Sequence, residues 1–235
     1  MFFFHYADRL PPALLAAWAE RFGFGRPTGI DLPQEAGGRV PASSAGKSEN
    51  QVRKAADAKL LAIGQGEFQA TPLQVVRMMA AVANGGFLVT PHVVNHVGPA
   101  EPAAAAAGAG PQGTADDALP TPPPQPIPGL SAATLRTIRE GLERVVSDAK
   151  GTAHATVAIP SLPIAGKTGT AETGPGRLEH AWFAGYVPAD QPKVALVVVI
   201  EHAGNAEETA CPVAKRLILR MQELGYFGKR NSDRK

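Results

Sequence analysis

Three strand-like runs in close succession, Ile164–Glu172, Ala181–Val187 and Lys193–His202, constrain this chain more than any other feature. The apolar and β-branched residues Val157, Ile159, Leu162 and Ile164 lead into them, and a short Gly/Pro-containing turn at Thr173–Arg177 separates the first two. Runs of this length joined by turns predict an antiparallel meander. The first run carries Lys167, Thr168 and Gly169 in a row. An ammonium there lowers the cost of a nearby anion, and a hydroxyl bonds a carboxylate. A residue without a side chain lets a ligand lie against the strand backbone. Alone, the tripeptide is weak evidence, because an ordinary strand end can carry it.

At 235 residues the chain buries a sizeable core, and one domain is expected. A net charge of +2 gives no electrostatic footprint for nucleic acid. The single cysteine, Cys211, excludes an intramolecular disulfide and a Cys-rich zinc site. Met1–Phe4 is too short for a transmembrane helix or the core of a signal peptide, and no other stretch reaches membrane length.

Phe2–Ala19 reads as helical with a break at Pro11-Pro12, ending at Phe22-Gly23-Phe24-Gly25. Lys54–Ile63 reads as a short helix or an extended approach to the turn Ile63-Gly64-Gln65-Gly66. Thr71 and Pro72 mark a helix start, with Leu73, Val76, Met79, Ala80 and Ala83 at helical spacing and Gly85-Gly86 closing it. Phe87–Val97 is expected to form a small pair of strands, which places His92 and His96 on the surface instead of in a metal pair. Gly98–Pro128, rich in alanine, glycine and proline, is expected to be a disordered insert. Ser131 caps a helix with Leu135, Ile138, Leu142, Val145 and Val146 on one side, and Gly151 is expected just past its end. Pro212 opens a last helix whose buried face is expected to hold Val213, Leu217, Met221 and Leu224, ahead of a charged tail at Lys229–Lys235.

Six stretches now stand in order: Thr28-Gly29-Ile30-Asp31-Leu32-Pro33-Gln34-Glu35, Ile63-Gly64-Gln65-Gly66, Ala70-Thr71-Pro72-Leu73-Gln74, Ala83-Asn84-Gly85-Gly86, Ala165–Glu172 and Ala181-Trp182-Phe183-Ala184-Gly185-Tyr186-Val187-Pro188. In these the chain resembles the transpeptidase domain of class B penicillin-binding proteins, in wording closest to the elongation-type branch. The resemblance implies an α/β (α+β) fold of the serine transpeptidase and β-lactamase kind, an antiparallel sheet flanked by helices and incomplete on its N-terminal side. It implies one partial domain over residues 1–228 around the 98–128 insert, followed by the 229–235 tail.

The resemblance also implies serine acyl transfer between peptidoglycan stem peptides ending in D-Ala-D-Ala, with β-lactam antibiotics acylating the same serine. Catalytic roles fall to Lys167, Thr168 and Gly169. Substrate carboxylate binding falls to Thr168 and Thr170, and the Thr170 N–H is half of an oxyanion hole. No metal, no cofactor and no nucleic acid is implied. Partners are cell-wall synthesis proteins, and the parent protein is expected at the membrane, facing the periplasm or cell exterior.

In the family that the chain resembles, Ser-x-Asn stands just upstream of a segment like the opening one and Ser-x-x-Lys further upstream, so the resemblance implies that both precede residue 1; the Phe2-Phe3-Phe4 opening also reads as a helix interior. Two look-alikes occur inside the chain. Ser44-Ala45-Gly46-Lys47 and Ser48-Glu49-Asn50 are adjacent to one another and follow Gly37, Gly38 and Pro41, a loop composition with no helix to fix serine against lysine. The nucleophile is therefore not expected among this chain's serines. A non-catalytic scaffold module, a D,D-carboxypeptidase and a serine β-lactamase remain as alternatives, the last opposed by the Ile-Asp-Leu-Pro and Ile-Gly-Gln-Gly stretches.

Overall fold

The computed structural model describes residues 2–7, 9–41, 59–94 and 122–228. Its elements are α1 (Phe2–Ala7), α2 (Pro12–Arg21), α3 (Pro72–Ala83), β1 (Phe87–Leu88), β2 (Gln125–Pro126), α4 (Ala132–Ser147), α5 (His154–Val157), β3 (Ala165–Ala171), β4 (His180–Val187), β5 (Val194–Ile200) and α6 (Ala210–Glu223). Strands β3, β4 and β5 form an antiparallel sheet in that order, as the meander requires. Val157, among the residues that lead toward the first strand, ends the one-turn helix α5.

Side chains alternate across the sheet. Ala181, Phe183 and Val187 of β4 face α5 and α6 in a core with Val146, Leu162, Ile164, Leu196 and Val198. Tyr186 faces the opposite way, into a second core with Val82, Leu135, Ala165 and Ala189 under α3 and α4. Phe183, Tyr186 and Ile218 are fully buried; Phe183 and Ile218 each contribute about 1.5–3 kcal/mol relative to an exposed position, whereas the Tyr186 hydroxyl is buried without a hydrogen-bond partner, which offsets part of the gain from its ring. Burial pushes the Tyr186 phenol up to about 12.

The α6 face differs from the sequence expectation. Ala210, Cys211, Ala214 and Ile218 are buried, whereas Val213, Leu217 and Leu224 are 38%, 43% and 57% exposed. Small residues let the helix lie close on the sheet, and that closeness outranks apolar size in choosing the inner face. The helix also starts two residues before Pro212, which sits within its first turn, where the missing N–H costs little. Likewise α4 ends at Ser147 with Asp148 as its cap, and Gly151 lies in the turn beyond.

The buried stripe of α3 includes a polar residue, Gln74, at 1% exposure. Thr71 Oγ1 accepts from Gln74 N, and Gln74 Oε1 accepts from Thr71 N, a reciprocal capping box. The amide Nε2 donates its two hydrogens to Arg26 O and Gly37 O at 2.8 and 2.7 Å. The Thr71–Gln74 stretch thus ties the 26–37 loop to a helix start. At the other end of α3, Arg139 of α4 donates from Nε and Nη2 to Val82 O and Ala83 O, both at 2.8 Å, satisfying carbonyls the helix leaves unpaired.

Residues 87–94 do not pair among themselves as expected; β1 pairs with β2 instead. Residues 122–128, assigned from sequence to the end of the insert, thereby join the fold, and Ile127 is buried beside Ala81 and Leu88. The rest of the insert, residues 98–121, lies outside the described residues, as do the tail 229–235 and His96.

Both acids of the Thr28–Glu35 stretch act on main chain. Asp31 accepts from Val93 N and Val94 N at 2.8 Å each, and Glu35 accepts from Thr28 N and Gly29 N at 2.7 and 3.0 Å. The Val93 and Val94 N–H groups hold the Asp31 carboxyl below its ordinary value. Burial pushes Glu35 up, but hydrogen bonds from the Thr28–Ile30 segment outweigh it and leave the carboxyl lowered. A carboxyl with a depressed folded-state pKa adds stability above its unfolded value and loses it as pH falls through the folded one. The chain is therefore expected to lose stability below the ordinary values of 3.8 and 4.5. In urea melts across that range, the Asp31→Asn, Glu35→Gln double variant should show a shallower acid limb; an unchanged limb would refute the assignment.

Candidate active site

Strand β3 is an edge of its sheet among the described residues, and it presents the Lys167–Thr170 stretch. The N–H and C=O of one residue in an extended strand point to the same side. Thr170 O accepts from Gln65 Nε2 at 2.9 Å, and Glu172 N donates to Gln65 Oε1 at 3.3 Å. The main-chain groups of Thr168, Thr170 and Glu172 therefore line the edge away from β4, with the Thr170 N–H among them.

The Gln65 side chain thus acts as a short paired strand. Its position comes from a sharp turn: Gly64 and Gly66 have φ of +71° and +80°, a region open to glycine. Ile63, Gly64 and Gln65 donate main-chain N–H groups back to Leu60 O and Leu61 O, closing the helical residues 59–62. The Gly-Gln-Gly spelling was the available signal for this support.

Lys167 shares its face of β3 with Ala165 and Gly169, and its Nζ donates to Thr168 O at 2.6 Å. Its side chain is exposed, yet desolvation by the surrounding protein holds the ammonium below the ordinary lysine value. Thr168 and Thr170 share the other face. Thr168 Oγ1 lies 2.8 Å from Thr152 Oγ1, in the turn after α4. Gly169 pairs with Trp182, and a Cβ there would stand 3.3 Å from Trp182 Cβ.

The structure thus brings Lys167, Thr168, Gly169 and Thr170 to one strand edge and adds Thr152, whose contact the sequence did not reveal. Ser44, Lys47, Ser48 and Asn50 lie outside the described residues, and His92 is exposed on the surface. Among the described residues no group of three or more His, Cys, Asp or Glu side chains forms a metal-binding cluster. None of their helices is long and apolar enough to cross a membrane.

An antiparallel sheet clasped between helices, with Lys-Thr-Gly on its edge strand, places the chain in a known class. Residues 1–219 match the penicillin binding protein transpeptidase domain, and the chain belongs to that family. Its relatives point to the elongation-type, class B branch. The chain is 30% identical to the peptidoglycan D,D-transpeptidase MrdA of Haemophilus influenzae, over 92% of this chain and 34% of that protein. It is 31% identical to the MrdA protein of Acinetobacter baumannii, over 90% and 32% respectively. Among solved structures it superposes on Pseudomonas aeruginosa PBP2 in complex with WCK 5153 with a TM-score of 0.74 and 30% identity, covering 92% of this chain and 45% of that one. Helicobacter pylori PBP2 in complex with MreC gives a TM-score of 0.74 at 26% identity, covering 96% and 38%. The chain spans about a third of the length of the curated relatives it matches. These relatives do not favour the carboxypeptidase and β-lactamase alternatives.

Proposed function

We propose that this chain supplies the carboxylate-binding and oxyanion side of a D,D-transpeptidase site in peptidoglycan cross-linking. The observation that carries this reading is the edge of β3, where the Lys167 ammonium donates to Thr168 O, the Thr168 hydroxyl meets Thr152, and the Thr170 main chain faces away from β4. Thr168 and Thr170 hold the terminal carboxylate of a D-Ala-D-Ala stem peptide or of a β-lactam. The Thr170 N–H receives half of the developing oxyanion charge, an interaction whose loss costs about a hundred- to a thousandfold in rate. Lys167, with its lowered pKa, supports the electrostatics and proton traffic of the acylation step. Gly169 keeps the strand surface clear for the acyl group.

The nucleophilic serine and its base come from sequence other than Ser44–Asn50. The working protein sits at the membrane, facing the periplasm or cell exterior, with cell-wall synthesis proteins as partners. Complexes of that sort are known for the neighbours, including Helicobacter pylori PBP2 with MreC.

Fluorescent penicillin tests this reading. The chain by itself is expected to form no covalent adduct that survives denaturation. A chimera that prefixes the chain with the portion of the Haemophilus influenzae relative preceding the matched stretch, selected for cooperative melting, is expected to label. Labelling of the chain that Ser44→Ala abolishes would make Ser44 the nucleophile. A folded chimera that fails to label would replace acyl transfer with a non-catalytic scaffold role.

A further inference from the structure

An open groove of about 320 Å³ runs between the end of α4 and the edge of β3. Arg144, Lys150 and Lys167 line it, with Asp148 its single acid. Among the described residues, none of these three cations forms an ion pair with a carboxylate. Asp148 spends one oxygen on the Lys150 main chain, accepting its N–H at 2.9 Å. Thr152 also lines the groove and bonds the Thr168 hydroxyl at 2.8 Å, which makes the groove continuous with the strand edge. Main-chain bonds from Gly151 N to Asp148 O (2.7 Å) and Ala153 N to Val145 O (3.1 Å) fix its floor, so little ordering is required of it on binding.

Exposed cations at a helix C-terminus are common, because the helix dipole favours them. That accounts for Arg144 alone. Lys150 lies in the turn beyond the helix and Lys167 on a strand, and all three border one concavity.

We propose that this groove is a subsite for a second anionic group of the substrate, a side-chain carboxylate on the peptide whose terminal carboxylate meets Thr168 and Thr170. The inference rests on the function proposed above and adds a charge preference to it. Arg144 offers a planar fork that matches a carboxylate with two parallel N–H···O bonds, and Lys150 adds a point charge. The Thr152–Thr168 hydroxyl pair sets the spacing between the two carboxylates.

Two synthetic peptides ending in D-Ala-D-Ala, identical except for a side-chain carboxylate that is free in one and amidated in the other, test this. Each is titrated into the isotope-labelled chain at low salt, following amide shifts of β3 and the 148–153 turn. The free acid is expected to bind roughly tenfold tighter, the worth of one charge-assisted hydrogen bond. High salt should shrink that ratio, since exposed charges are screened. Arg144→Gln should remove most of the advantage while leaving the amidated peptide's affinity unchanged; Arg144 is exposed, so the fold survives the change. Thr168→Val should weaken both peptides alike. Equal affinities on the unaltered chain would overturn the subsite and leave the terminal-carboxylate reading standing. An advantage that persists in the Arg144→Gln, Lys150→Gln double variant would place the anion elsewhere and also overturn it. If neither peptide binds, the subsite and the reading beneath it fall together.

Discussion

Gly185→Ala is expected to destabilise the fold by about 3 kcal/mol, near the upper end for overpacking a tight core. Gly185 pairs with Gly166 across β4 and β3. A Cβ on Gly185 would run into Ala165 O, a main-chain atom that no rotamer change can move, and would stand 3.1 Å from Gly166 Cα. A Cβ on Gly166 meets a different obstacle, the Phe183 ring, with Cζ at 2.5 Å and Cε2 at 2.9 Å. The two glycines leave a hollow in the sheet, and the fully buried Phe183 ring lies over it. Gly166→Ala should therefore be partly relieved by Phe183→Leu, which removes the obstructing ring, whereas Gly185→Ala should not be. Residues in contact couple in this way, and a double-mutant cycle in urea isolates the coupling. Equal rescue of both glycine variants, or a loss below about 0.5 kcal/mol for Gly185→Ala, would contradict this packing.

Thr168→Val is expected to slow penicillin acylation of the labelling-competent chimera by about ten- to a hundredfold. Valine keeps the β-branched shape that suits a strand, so β3 should retain its register. What is lost is a hydroxyl directed at a carboxylate, a charge-assisted bond worth about 1.5–3 kcal/mol. The same change removes the 2.8 Å contact with Thr152. Thr152→Val, which leaves the Thr168 hydroxyl in place, should therefore have the smaller effect. The comparison is made on the second-order rate of adduct formation, with melting temperatures confirming that both variants fold. An unchanged rate for Thr168→Val would remove Thr168 from substrate binding.

Much of the sheet is legible in the amino-acid sequence. The runs at Ile164–Glu172, Ala181–Val187 and Lys193–His202 form β3, β4 and β5 with trimmed ends, because short connections and β-branched content leave a meander little alternative. Helix starts at Thr71 and Ser131 are legible for a local reason: a side-chain oxygen three residues from an unpaired N–H is a matter of chain neighbours alone. That Lys167, Thr168 and Thr170 share one strand is legible because they are written almost consecutively.

Contacts made at long range are not legible. Helical spacing puts Val213 and Leu217 of α6, and Leu224 at its end, inward, yet the sheet selects Ala210, Cys211, Ala214 and Ile218, because closeness of approach depends on the partner surface. Composition assigns residues 122–128 to a disordered insert, yet Ile127 finds a pocket beside Ala81 and Leu88. Gln74 lies in the first turn after the Thr71 helix start, and only the folded chain supplies the Arg26 and Gly37 carbonyls that let it be buried. Gln65 meets β3 over a separation of 105 residues. Neighbours along the chain were enough to specify the strands and the caps, and to place Lys167, Thr168 and Thr170 on one strand. Tertiary structure alone decided which helix face is buried, which strand edge stays open and which hydroxyl meets Thr168, since each depends on surfaces that meet only on folding.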